Sequence, residues 1–298
     1  MARYLSKTIP STSSFENGSR NGVAFGIKEI KELSSYMAER LGMPYDHSPL
    51  SFLKRRLSYI FRKHNLRNIE EFKQLLNSDD YLGRFHANFS VNTTEMFRDP
   101  GFWRYLRTLL KSLSISDKIN VWLPEIASGE EVFSFLIIID ELELTDRFNV
   151  ICQHPSLQKL NNIKKGILED KNLEVNKSNY TRIEGQKSFN DYYTIDNNRF
   201  VLNQSLVKNI EIVHGHFLTV PAPSEVGIIL FRNKMLYYDK EISVSCISKL
   251  ISSLLPGGVI AIGAKEQMPD SFESGLNCLN IKEKIYKKHG FEIIWENE

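Results

Sequence analysis

Cysteine is scarce: the 298 residues hold only Cys152, Cys246 and Cys278, far apart in the chain. That spacing excludes a disulfide scaffold and a Cys-x-x-Cys metal or redox motif, and fits buried thiols in a reducing compartment. An excess of charge of either sign is also missing. The net charge is +2, which gives no general attraction to nucleic acid or to a membrane surface, and no nucleic-acid partner is expected. Long apolar runs are absent too. The longest, Phe135 to Ile139, is far too short to cross a bilayer, so membrane insertion is not expected. The first residues lack the apolar core of a signal peptide, and the expected location is cytoplasmic. What remains is ordinary for a globular protein, with 42% apolar and 25% charged residues and length for one large domain or two modest ones.

Local pattern divides the chain. "STSSFENGSRNG", Ser11 to Gly22, is polar and aperiodic, and residues 1–25 read as a disordered tail. Residues 26–80 have helical period. Ile27, Ile30, Leu33, Met37 and Leu41 form one stripe that stops at Gly42. Next, Ser48 and Pro49 predict a helix start, with Phe52, Leu53, Leu57, Ile60 and Phe61 on one face. Lys54, Arg55, Arg62 and Lys63 fall largely off that face, which is either a docking surface or a solvated face. "NIEEFKQLLNS" reads as a third helix. A joining segment covers 81–119. From residue 120 to 298, β-branched runs such as "INVWLP", "FNVICQ", "VGIILF" and "GGVIAIGA" alternate with helical stretches. This pattern predicts an α/β fold with a doubly wound, mostly parallel sheet. A polar stretch at about 176–210 is too long for a loop and predicts a small inserted β-subdomain.

"WLPEIASGEEVFSFLIII", Trp122 to Ile139, reads as strand, tight turn and buried helix. In such sheets the ligand lies past the carboxyl ends of the strands, beside this turn. Gly129 opens a helix whose free amides favour an anion, a weak signal alone. Four further segments occur in order with it: "SFLKRRLSYIFRKHNLRNIEEFKQLL", "SVNTTEMFRDPGFWRYL", "ILFRNKMLYYD" and "LLPGGVIAIGAKE". Together they resemble the CheR family of chemotaxis-receptor methyltransferases over roughly residues 27 to 298. The resemblance implies a Rossmann-like methyltransferase sheet joined to an N-terminal helical domain, with 81–119 covering the cofactor. It implies methylation of glutamate side chains on chemoreceptor cytoplasmic helices, or on another acidic protein, with S-adenosylmethionine as cofactor.

The resemblance also implies roles. Arg98, Arg232 and Tyr237 match the family's methyl-transfer end, and Asn92, Thr94, Arg98, Glu130, Arg232 and Asn233 its cofactor contacts. A guanidinium holds a carboxylate bidentately, and a tyrosine face lies well against a sulfonium cation. Three positions depart from the pattern. Glu125 stands where the family has a small residue ahead of "SGEE". His154 stands where an acid holds the ribose hydroxyls. "HGHFL" puts His216 and Phe217 where an Asn-Leu pair lies near the adenine. Losing one charged hydrogen bond weakens binding by about one to two decades, so weak cofactor affinity is expected. Two readings follow: a receptor methyltransferase with altered adenosyl contacts, or an impaired pseudo-methyltransferase that serves as a binding module.

Overall fold

The computed structural model describes residues 25–90, 94–113, 118–168, 172–196, 199–290, 293 and 295. The tail expected over 1–25 lies outside them except for Phe25, which is buried edge-on against Phe61.

Four helices form the first unit: α1 (Ile27–Leu41), α2 (Leu50–His64), α3 (Ile69–Asn77) and α4 (Asp79–Phe89). Gly42 ends α1 in the left-handed region, as the sequence predicts. Pro49, not Ser48, stands at the N-cap of α2. Helix α4 extends the unit past residue 80: Tyr81, Phe85 and Phe89 pack with Leu33, Leu57 and Phe72 in one apolar core. A short 3-10 turn, Tyr45–His47, links α1 to α2.

Helix α5 (Pro100–Lys111) then leads into the sheet domain. Strand β1 (Ile119–Leu123), α6 (Glu130–Glu141), β2 (Phe148–His154) and α7 (Leu157–Lys164) follow. Then come β3 (Ile167–Leu168), α8 (Leu173–Arg182), β4 (Tyr193–Asp196), β5 (Arg199–Leu202), α9 (Gln204–Val207) and β6 (Ile210–His214). The chain closes with β7 (Val226–Phe231), α10 (Lys240–Ser253), β8 (Leu254–Ile262), β9 (Leu276–Asn280) and β10 (Ile285–Lys288).

The main sheet runs β6-β2-β1-β7-β8-β10-β9. From β6 through β8 the pairs are parallel, and β10 is antiparallel to both neighbours. This is the doubly wound, mostly parallel sheet the alternation predicts. The order reverses between β1 and β7, where a crevice opens past the carboxyl ends. Both faces are covered. Val121, Val150 and Ile228 pack into one core, and Trp122, Ile151 and Ile229 into the other. Strand β6, whose sequence "IEIVH" is half polar, is an edge strand, which needs little apolar surface.

The small antiparallel sheet β3-β5-β4 sits beside the main sheet. One buried carboxylate anchors this region. Glu141 on α6 takes the Arg107 guanidinium of α5, the Tyr180 hydroxyl of α8, the Tyr192 hydroxyl at 3.0 Å and the Gln186 amide at 2.9 Å. Arg107 also donates to the carbonyls of Ile183 and Glu184.

Candidate functional site

A cleft with about 1180 Å³ of empty space, open solvent at its mouth included, lies over the carboxyl edge of the sheet. Its floor is the turn after β1, the ends of β2 and β6, and the segment after β7. Its roof is Tyr45, Phe52, His86 and Phe89 of the helical unit, with Thr94, Glu95 and Arg98 beside them.

The turn is shaped by Gly129, whose φ of 109° suits glycine and whose site has no room for a β-carbon, since Ile163 Cγ1 lies 2.9 Å from where one would stand. Glu130 and Glu131 occupy the first turn of α6, where carboxylates are favoured by the helix dipole. They diverge. Glu130 is buried, accepts from Ser128 Oγ at 2.7 Å, and is not part of the cleft wall. Glu131, which the sequence does not single out, lines the cleft.

Arg98, Arg232 and Tyr237 surround this one cleft, with Thr94 and Asn233. Asn92 lies outside the described residues. The two arginines differ in state. Arg232, with a side chain only 3% exposed, bonds Glu131 at 3.0 Å and Asp99 at 2.8 Å, and its guanidinium carbon lies 3.8 Å from the Phe102 ring centroid. Its two terminal nitrogens are therefore engaged by the protein's own acids, while its buried Nε has no hydrogen-bond partner among the described residues, and it braces the cleft wall. The Arg98 guanidinium makes no hydrogen bond or ion pair among the described residues. Tyr237 packs against Phe52, and burial raises its hydroxyl pKa. Asn233 turns with φ of 60°, and its amide donates to the buried Glu266 carboxylate at 2.9 Å.

On the opposite side stand the three departures. His154 is buried; its Nδ1 accepts from the Ser156 amide at 2.9 Å and its Nε2 lies 3.4 Å from Ser90 Oγ. Burial pushes its pKa well below the ordinary value, so it is a neutral ring. Burial likewise lowers His216, and takes His86 down to about 4. Phe217 is not a wall residue; it is fully buried against Phe231 in the core. Glu125 lines the cleft, and its Oε2 accepts from the Tyr238 hydroxyl at 3.1 Å. Tyr238, in turn, lies 3.1 Å from His216 Nε2. The sequence gives no sign of this bridge, because its members are 22 and 113 residues apart.

The family model described as "CheR methyltransferase, SAM binding domain" matches residues 92–285. The chain belongs to the CheR methyltransferase family. The cofactor of the matched domain is S-adenosylmethionine. The chain is similar to a chemotaxis protein methyltransferase of Listeria innocua, 25% identical over 232 residues, which are 76% of this chain and 86% of the relative. It is also similar to one of Borreliella burgdorferi, 21% identical over 277 residues, 88% of this chain and 94% of the relative. Among solved structures it matches the N-methyltransferase NodS from Bradyrhizobium japonicum with a TM-score of 0.36 and 12% identity, over 65% of this chain and 97% of that one.

The cleft chemistry fits such a cofactor. Arg98 would hold a carboxylate, the ring of Tyr237 would lie against a sulfonium, and Glu125 would offer an acceptor. Among the described residues, no cluster of His, Cys, Asp and Glu could hold a metal ion, and no helix is long and apolar enough to cross a membrane.

Proposed function

We propose that this chain is a cytoplasmic protein-glutamate O-methyltransferase acting on chemoreceptor cytoplasmic helices or a related acidic signalling protein. The observation that carries this reading is the meeting, in one cleft, of Tyr237 with Arg98, whose guanidinium makes no hydrogen bond or ion pair among the described residues. The relatives named chemotaxis protein methyltransferases support the receptor as substrate.

S-adenosylmethionine, when bound, supplies an electrophilic methyl group on a sulfonium. A glutamate side chain has a pKa of about 4.3 and is ionised at neutral pH, so it needs no general base. Arg98 holds a carboxylate, and Tyr237 sets its ring against positive charge. Phe52, Phe89 and Trp103 make the walls apolar and exclude water, which strengthens each of these contacts. The chain's contribution is thus positioning and electrostatics rather than proton transfer.

A second reading, a pseudo-methyltransferase that docks on receptors, has its own support. Arg232 is consumed by Asp99 and Glu131, and His154 is a neutral ring where an acceptor is expected. Methyl-labelled S-adenosylmethionine and purified receptor cytoplasmic fragments decide between them. Base-labile label on the fragment that is lost in Arg98→Ala supports the enzyme. Co-sedimentation without label, and without S-adenosylhomocysteine binding by calorimetry, selects the docking module.

A further inference from the structure

The departures at Glu125 and His154 are adjacent in space. Strands β1 and β2 pair in parallel with Leu123 opposite Cys152. Two residues further along stand Glu125, just past the end of β1, and His154, the last residue of β2, and the Ile126 amide donates to the Gln153 carbonyl at 3.2 Å, so the two segments still run side by side there. Neighbouring strands lie about 4.8 Å apart. A ribose diol needs an acceptor at this edge of the sheet. His154 supplies none: its Nδ1 is committed to Ser156, which leaves the proton on Nε2, directed at Ser90. The carboxylate stands one strand over.

Glu125 is held there by a chain of bonds with a single direction. The Leu218 amide donates to His216 Nδ1 at 3.3 Å, so the His216 proton is on Nε2. His216 Nε2–H then donates to the Tyr238 oxygen, and the Tyr238 hydroxyl donates to Glu125 Oε2. Every proton has one place. The end of the chain is Glu125 Oε1, which accepts no hydrogen bond among the described residues, with the Lys159 ammonium near enough to feel its charge. Of the other cleft carboxylates, Glu131 is spent on Arg232, and Glu95 comes from the segment beside Arg98.

We propose that Glu125 is the acceptor for the ribose hydroxyls of the adenosyl group, a carboxylate transposed from the end of β2 to the end of β1, with Tyr238 and His216 as its positioning residues. The proposal rests on the cofactor reading above. On it, His154→Asp is not needed to restore a ribose contact, and Glu125 fixes specificity for the ribose over the deoxyribose form.

Calorimetry on the full chain with S-adenosylhomocysteine and its 2′-deoxy and 3′-deoxy analogues tests this. Wild type is expected to favour the ribose form by about tenfold or more, the weight of one charged hydrogen bond. Glu125→Gln, which keeps the shape, is expected to weaken the ribose form by a similar factor and to lose the discrimination. Tyr238→Phe is expected to give a smaller loss of both. Tighter binding by Glu125→Gly, or unchanged discrimination by a folded Glu125→Gln, overturns the proposal. Equal binding of all three ligands by wild type overturns it without any variant. Failure of wild type to bind any of them removes the cofactor reading itself, and the proposal with it.

Discussion

Phe52 on α2 lies against Tyr237, beyond β7, with ring centroids 4.9 Å apart and planes tilted by 43°. The helical unit therefore touches the proposed methyl-transfer tyrosine directly. The pair is worth about 1 kcal/mol beyond its burial, so Phe52→Ala should lower stability by at least that in urea melts. Methyl transfer should fall further, by about tenfold or more, because a reacting wall displaced by an ångström is costly. A loss of stability with turnover unchanged would show that Tyr237 does not depend on this contact.

The two cleft arginines should separate cleanly. Arg232→Met leaves Asp99 and Glu131 facing each other without a cation. About 3 kcal/mol of stability should go, the low end for a broken buried pair because both carboxylates keep some water. Arg98→Ala should leave the melting temperature within about 2 °C of wild type, as for a partly exposed side chain with no hydrogen-bond partner among the described residues. It should lower S-adenosylhomocysteine affinity by about tenfold or more. Equal effects of both changes on folding would contradict the assignment of brace and ligand.

How far the sequence disclosed this division depends on the residue. The alternation of strands and helices announced the sheet because both its faces are buried, which makes the central strands β1, β2, β7 and β8 largely apolar runs. Helix α4 was hidden because "DDYLGRFHANF" carries a glycine and few strong helix formers; only its packing against α2 and α3 secures it. Arg98 and Arg232 look alike in sequence. Their difference lies in Asp99 and Glu131, acids that only the folded chain brings to one of them. Glu125 read as an intrusion, since Tyr238, which holds it, is 113 residues away.

Acid should destabilise the cleft before it destabilises the rest. Burial lowers the pKa of His86 from 6.5 to about 4, and those of His154 and His216 in the same direction. A depressed folded value means that the unfolded chain binds the proton more readily. The stability is thus fully present above about 6.5 and is lost as pH falls from there toward 4. Thermal melts across this window should show the decline, and His86→Gln should flatten it. His47, raised by its bond to Asp239, works the other way: its contribution is present at low pH and fades as pH rises through its folded value. A His47→Ala curve that loses stability only above neutrality would reverse that sign.

Lys54, Arg55, Arg62 and Lys63 are all exposed on α2, the helix that carries Phe52 into the cleft wall. An acidic receptor helix lying along them would bring its glutamates toward Tyr237. Arg55→Glu with Arg62→Glu should abolish co-sedimentation with receptor-containing membranes. Wild-type binding should weaken with salt, since exposed charges are screened over about 8 Å at physiological ionic strength. Binding that withstands both would make this a solvated face.

The Glu141 carboxylate accepts from α5, from α8, from the backbone beyond α8 and from Tyr192 ahead of β4. A segment tied in this way is not a cassette. Exchange of the small sheet with that of a relative would strand Glu141 among mismatched donors, so chimeras cut at the ends of the insert should express poorly. Those that also carry Arg107 and Glu141 from the same parent should recover. In this lineage the insert can drift at its rim, in residues such as the exposed Ile195, while its root has to be inherited together with two helices outside it.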